Sequence, residues 1–214
     1  MKQEKGYSLA KRATYEPLAA DVVLKAYRAG YFPMADSSTD TISWYSPDPR
    51  AIIPLRDFKV ARSLRQRIQK GVFEVRINTA FGNVIRLCAD RAETWISEEI
   101  IGVYTELHGD GYAHSVESWH GGKLVGGLYG VAIGGAFFGE SMFSRMADAS
   151  KVALVDLVAR LRKRGFLLLD TQYVTEHLKQ FGVLEIPRTD YLSLLSRALN
   201  IRTSFLEPAE SSPG

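Results

Sequence analysis

One cysteine, Cys88, stands alone among 214 residues. A lone thiol excludes an internal disulfide and leaves no sulfur cluster for zinc, so a small buried apolar side chain in a reducing, cytoplasmic setting is expected. No apolar run approaches the roughly 20 residues needed to cross a bilayer, and the opening "MKQEKGYSLAKR" lacks the hydrophobic segment of a secretory signal. No membrane partner is expected. The four histidines, His108, His114, His120 and His177, fall into no HExxH or other ligand spacing. No metal is expected, and His114 reads as a hydrogen-bonded structural residue. A GxxxxGK[ST] loop is missing too. The glycines of "GGLYGVAIGG" lie within a strand pattern with no helix directly after them to hold a phosphate, which argues against a nucleotide cradle.

What remains is the composition of a globular chain: 46% hydrophobic residues, 24% charged and a net charge of +3. That is enough apolar material for one large domain, or for one domain with a small appendage. "PLAADVVLKAYRAGYF" has helical spacing and closes on Gly30, while "PMADSSTDTI" reads as a polar loop. "SWYSPDPRAIIPL" carries three prolines, which favour extended structure. A boundary is expected here, with the first part too short for a core of its own. "DFKVARSLRQRIQKG" predicts an amphipathic helix burying Val60, Ala61, Leu64 and Ile68. "VFEVRIN" alternates as a strand, and "AFGNVIRLCADR" and "SEEIIGVYTELHGDG" read as helices. "AHSVESWH" and "KLVGGLYGVAI" form a hairpin about Gly121 and Gly122, with "GGAFFGESMFS" as a further partner. "DASKVALVDLVARLRKRG" predicts a helix capped by Asp148 or Ser150, "FLLLDTQ" an interior strand, and "TEHLKQFG" and "IPRTDYLSLLSRALN" closing helices. The tail "EPAESSPG" reads as loose. The order predicts an α+β fold with a mixed sheet.

Two carboxylates stand out. Asp170 ends the apolar run Phe166–Leu169, where a side chain would sit at the C-terminal edge of a buried strand, the place at which open α/β sheets gather ligands. Gln172 would share its face if the strand continues, giving an acid–amide pair able to orient a nucleophile. The alternative for Asp170 is a turn cap or an arginine partner, since a buried carboxylate needs one. Glu140 follows Phe137, Phe138 and Gly139, and strict alternation would place Glu140, Met142 and Ser144 on one face. Desolvation there would raise its pKa. It either recognises an amine or pairs with Arg145 or Lys151. "RDFKVARSLRQRIQK" holds six basic residues against one acidic, a local field suited to phosphates unless it is merely a solvated face.

In chain order, "AYRAGYFPM", "SWYSPDPRAIIPL", "TWIS", "AHSVESW", "LVGGLYGVAIGGAFFGESMFSRMADASKVAL", "LLDTQ" and "HLKQFGVLEIPRTDYL" resemble the bacterial leucyl/phenylalanyl-tRNA–protein transferases. The resemblance runs from about Asp21 to Leu195. It implies an acetyltransferase-like (GNAT-type) catalytic domain over residues 49–214, with flanking helices. A small N-terminal domain, abbreviated here, would cover 1–48. It further implies transfer of leucine or phenylalanine, with methionine a further candidate, from aminoacyl-tRNA to proteins with N-terminal lysine or arginine. That transfer marks them for N-end-rule degradation. No cofactor is expected, and a monomer is. The catalytic residues implied are Asp170, Gln172 and Glu140. Leu128, Phe137, Met142 and Leu154 would form the amino-acid pocket, and Trp44 and Trp95 would flank the terminal adenosine. Lys59, Arg62, Arg65, Arg67 and Lys70 would meet the acceptor stem, with Gln66 and Gln69 interrupting that basic series.

The chemistry this implies is attack of an α-amine on an ester, which needs no ATP but does need alignment of amine and carbonyl. An acyl-CoA-dependent N-acetyltransferase would want a glycine-rich pyrophosphate turn, and "SRMADASK" has no glycine. A non-catalytic tRNA-binding module would explain the basic helix and leave Asp170 and Gln172 without purpose.

Overall fold

A computed structural model of the protein describes residues 18–207. The start of the chain and the tail "PAESSPG" lie outside the described residues, as does the proline that opens the first predicted helix. The elements in order are α1 (Ala20–Arg28), β1 (Phe32–Ala35), β2 (Ile42–Tyr45), β3 (Arg50–Ile52), α2 (Arg62–Gln69), β4 (Glu74–Ile77), α3 (Phe81–Ala89) and α4 (Glu98–Gly109). They continue with β5 (Ala113–His120), β6 (Lys123–Ile133), β7 (Ala136–Ser144), α5 (Ala149–Lys163), β8 (Leu168–Gln172), α6 (Glu176–Lys179), β9 (Leu184–Ile186) and α7 (Arg188–Leu199).

Seven strands form one sheet in the order β4-β5-β6-β7-β8-β3-β9. Only β7 and β8 run parallel; every other neighbouring pair is antiparallel. The fold is therefore α+β with a mixed sheet and helices on both faces. The reason lies in the connections. Gly121–Gly122 and Gly134–Gly135 close tight hairpins with left-handed glycines, whereas β7 reaches β8 through the long crossover helix α5, which returns the chain in the same direction.

Two hydrophobic clusters fill the faces. One joins α1, α3, α4 and α7 through Val23, Tyr27, Val84, Ile100, Tyr104 and Tyr191. The other joins α5 to the opposite face through Leu154, Leu157 and Leu161, with Leu64 of α2 and Phe181 below α6. Gly126 lets α5 come close, since a Cβ there would lie 2.4 Å from that of Ala149. Residues 18–48 share the first cluster and add the two-stranded sheet β1–β2.

Three local expectations change. The polar stretch after Phe32 is a hairpin rather than a loop alone. Only its tip is a turn, where the Asp36 carboxylate accepts from the backbone N–H groups of Ser38 and Thr39. The basic helix begins at Arg62, after Val60 and Ala61. Two turns of helix dock on α5 by a single buried residue, Leu64; Ala61 is exposed, and Val60 and Ile68 are half-buried. Asp148 does precede α5, but with φ 68° and no capping side-chain bond; its carboxylate instead pairs with Lys151 at 3.0 Å.

Candidate active site

β7 and β8 pair only over Ala136–Phe138 and Leu168–Asp170. Beyond that point β7 stays bonded to β6 while β8 leaves, and a cleft opens at the C-terminal ends of the two parallel strands, where open sheets place ligands. A cavity of about 470 Å³ fills the gap. Leu128, Met142, Leu154, Leu157, Leu169 and Leu178, all packed in or against the cluster around α5, line it together with Ser150, Thr175 and His177. The lining also holds Glu140, Ser141, Gln172 and Arg91, with Phe32, Met34 and Trp95 of the first cluster.

Backbone irregularities aim the polar groups. Tyr129 pairs with Ser141 and Gly130 with Gly139, so Glu140 is the extra residue of a β-bulge. Strict alternation along β7 is thereby broken, and the bulge turns the Glu140 side chain into the cleft. Gln172 ends β8 at φ 60°, an unusual conformation for a side-chain-bearing residue. Its Nε2 donates to Glu140 Oε1 at 3.1 Å.

Asp170 does not line the cavity. Its carboxylate is fully buried and accepts from Arg50 Nε (3.0 Å) and Nη2 (2.6 Å), from Tyr191 Oη (2.8 Å) and from the backbone N–H of Gln172 (2.9 Å). The arginine-partner alternative describes its environment. Arg50 is equally buried, donates also to the Gly30 carbonyl, and lies between the rings of Phe32 and Tyr191 at 4.7 and 4.5 Å. Burial opposes its charge, and the Asp170 carboxylate more than offsets this, so the guanidinium stays ionised. The acid–amide pair of the sequence is thus divided: the Asp170 side chain faces inward, and only the Gln172 backbone touches it.

Glu140 is the converse. Neither Arg145 nor Lys151 reaches it, since the first pairs with Asp90 and the second with Asp148. Its partners are neutral: Gln172 Nε2 and, at 3.4 Å, Tyr104 Oη, which is itself hydrogen-bonded to Tyr27 Oη. The residue is half-buried and lines the cavity. Burial raises its pKa to about 8. The hydrogen bond attributed to Tyr27 and the charge of Arg50 oppose that rise, while the nearby Asp170 charge adds to it.

Of the other expected residues, Leu128, Met142, Leu154 and Trp95 line the cavity. Phe137 does not. It is buried behind the wall, 5.3 Å from the ring of Phe205. Trp44 also stands off the wall, half-buried on β2 opposite Pro33. Lys59, Arg62, Arg65 and Lys70 are exposed, while Arg67 is half-buried with Nε 3.9 Å from Asp148. His114 bonds Asn78 at 3.0 Å and stacks on Phe205; burial depresses its pKa to about 4. Cys88 is buried, with its thiol pushed up to about 12 for the same reason. Among the described residues, no group of His, Cys, Asp and Glu could hold a metal ion, and no helix is long and apolar enough to cross a membrane.

Sequence reasoning missed Arg50, Tyr27, Tyr104 and Tyr191. The only signal for Arg50 was its place in "SPDPR". Its partner is 120 residues away, beyond any local pattern.

The chain resembles known proteins over most of its length. The family model described as leucyl/phenylalanyl-tRNA protein transferase matches residues 52–196, and that of the family's N-terminal domain matches 16–48. A leucyl/phenylalanyl-tRNA–protein transferase of Salinibacter ruber is 55% identical over 186 residues, 87% of this chain and 82% of that protein. One of Gloeobacter violaceus is 55% identical over 188 residues, covering 88% and 97%. One of Paramagnetospirillum magneticum is 57% identical over 188 residues, covering 86% and 90%. With its mixed sheet, its cleft between two parallel strands and these relatives, the chain belongs to the leucyl/phenylalanyl-tRNA protein transferase family.

Proposed function

We propose that the cleft between β7 and β8 transfers leucine or phenylalanine from the 3′ end of a charged tRNA to the N-terminus of a protein beginning with lysine or arginine. The observation that carries this reading is a cavity lined both by the apolar Leu128, Met142, Leu154, Leu157, Leu169 and Leu178 and by the hydrogen-bonded pair Glu140–Gln172. The apolar lining takes the donor side chain. An unbranched leucine or phenylalanine suits a cleft walled by leucines and Met142, while a β-branched side chain crowds it; methionine is a further donor of suitable shape. Trp95 lies where the terminal adenosine would stack, and Trp44 supports the hairpin beside it.

In the reaction, the acceptor nitrogen attacks the ester carbonyl carbon. The C–N bond forms, the C–O bond to the ribose breaks, the nitrogen loses a proton and the ribose oxygen gains one. Glu140 is the group placed to handle that proton. Held neutral by burial at rest, it ionises more readily when a cationic acceptor enters beside it, and the resulting carboxylate can then accept a proton from the attacking nitrogen. Gln172 orients Glu140. Asp170 is a positioning residue: it fixes Arg50 and the backbone of Gln172, so its effect on transfer passes through the end of β8.

The exposed cations Lys59, Arg62, Arg65 and Lys70, with Arg67 partly held by Asp148, are the contact for the acceptor-stem phosphates. The parting parallel strands support an acetyltransferase-like (GNAT-type) fold for residues 49–214. The separate two-stranded sheet and its own family match support a small N-terminal domain over 1–48. We place the protein in the cytoplasm as a monomer, where charged tRNA and N-end-rule substrates are found. The test is incubation with labelled Leu-tRNA and peptides beginning with arginine or lysine, without ATP or acetyl-CoA. Label in the peptide is the expected result. No label, or acetylation of the same peptides once acetyl-CoA is supplied, would overturn the assignment in favour of the acetyltransferase reading.

A further inference from the structure

The transfer reaction assigned above uses a side-chain lobe, an ester and an amine, and leaves one cation of the cavity wall without a task. Arg91 lies in the segment between α3 and α4, as does Trp95. Its Nε donates to the carbonyl of Cys88 at 2.8 Å. Nη2 donates to Ser141 Oγ at 2.8 Å and approaches the carbonyl of Met142 at 3.5 Å. All three acceptors are neutral, and among the described residues Nη1 has no protein partner and no carboxylate forms an ion pair with this guanidinium. Its neighbours differ. Arg145 is matched by Asp90 at 3.2 Å and Arg86 by Glu98 at 3.0 Å.

A guanidinium fixed by neutral acceptors keeps its full charge and a fork of donors, which is the arrangement that binds a phosphate. Both substrates bring charge to this cleft, but of opposite sign. The acceptor brings cations, which Arg91 repels. The donor brings phosphodiesters, and the nearest one to the ester is on the 5′ side of the nucleotide that carries it. Place also fits. Arg91 is anchored on Ser141 and Met142, the two residues directly after Glu140 on β7. It lines the cavity together with Trp95, on which the terminal base would stack.

We propose that Arg91 binds the phosphodiester on the 5′ side of the terminal adenosine and so sets the depth at which the ester enters the cleft. The proposal rests on the transferase reading. Its test is a cycle of two enzymes, wild type and Arg91→Gln, against two minimal donors, 3′-O-leucyl-adenosine and the same compound bearing a 5′-phosphate. For the wild type, the phosphate raises kcat/KM about tenfold, the effect of one charge-assisted contact. For Arg91→Gln it changes nothing, and leucyl-adenosine serves both enzymes equally. With full Leu-tRNA, Arg91→Gln raises KM about tenfold at similar kcat and lowers the salt slope by about 0.7, the share of one single-stranded phosphate. Arg91→Lys, keeping the charge without the fork, recovers part of the loss.

An equal loss on both minimal donors would assign Arg91 to support of β7 instead and overturn the proposal. So would an unchanged KM for Leu-tRNA. Failure of the wild type with every donor would defeat the transferase reading itself, which the Arg91 variants alone would not.

Discussion

The neighbouring strands β8 and β7 each carry a carboxylate where they part, Asp170 buried and Glu140 half-buried, and the two have opposite surroundings. Asp170 at the end of β8 meets a bidentate arginine, a phenol and a backbone N–H, with none of its surface in the cavity. Glu140 at the bulge of β7 meets an amide and a phenol and, among the described residues, no cation within ion-pair distance, and it lines the cleft. A carboxylate that receives charged and neutral donors from several elements locks those elements together. One left with neutral partners can change its protonation at little structural cost, the property a proton-transfer group requires. On the proposed function, the pair divides stability from chemistry between adjacent strands.

The sharpest way to break this comparison is Glu140→Gln. Transfer should fall about 10²–10⁴-fold, the usual weight of a positioned acid–base group, with the fold intact. Stability supplies a second readout. Because its folded pKa stands near 8, above the ordinary 4.5, Glu140 favours folding fully below about pH 4.5, and that contribution is lost as pH rises through about 8. Melting temperatures of Glu140→Gln should therefore exceed those of the wild type at pH 8 and vary less between pH 5 and pH 8. A variant as active as the wild type would remove Glu140 from the mechanism.

Asp170→Asn should act on the other side of the division. It leaves Arg50 buried without a counterion, at a cost of about 3–5 kcal/mol measured by denaturant unfolding. Replacing Arg50 and Asp170 together by leucines should recover much of that loss. Unaltered unfolding accompanied by lost transfer would instead make Asp170 a direct participant.

Met142→Ala probes the apolar lobe. The ranking of leucine, phenylalanine, methionine and isoleucine donors should shift by about 1–3 kcal/mol in relative kcat/KM, more than folding is affected. An identical ranking would remove Met142 from the pocket. The smallest effect belongs to Tyr104→Phe. Loss of a hydrogen bond that favours the Glu140 carboxylate moves the acidic limb of the pH–rate profile to higher pH, with the maximal rate little changed. A profile that stays in place would show that the 3.4 Å contact carries no weight.

Much of this was legible in local pattern. The helices α3, α4 and α5, the hairpin of β5 and β6 and the interior strand β8 all announce themselves through periodicity and turn glycines. Leu128, Leu154 and Met142, named by the family resemblance, line the cavity, whereas Leu157, Leu169 and Leu178 were not foreseen. The failures have physical causes too. Two short turns of α2 presented too little apolar face to judge its burial, and the turn chemistry of Asp36 concealed a hairpin behind a polar composition. The family resemblance implied Phe137 for the amino-acid pocket and Trp44 for the terminal adenosine, but depth within a layer is a property of the packed sheet.

The amino-acid sequence by itself determined most of the element types and the family, because propensity, apolar spacing and extended motifs are written along the chain. Only the tertiary structure decided which carboxylate faces the cleft. That choice depends on a bulge at Glu140, on the φ of Gln172 and on an arginine 120 residues away from Asp170. Such contacts arise from strand pairing across the whole chain, and short-range pattern carries no record of them.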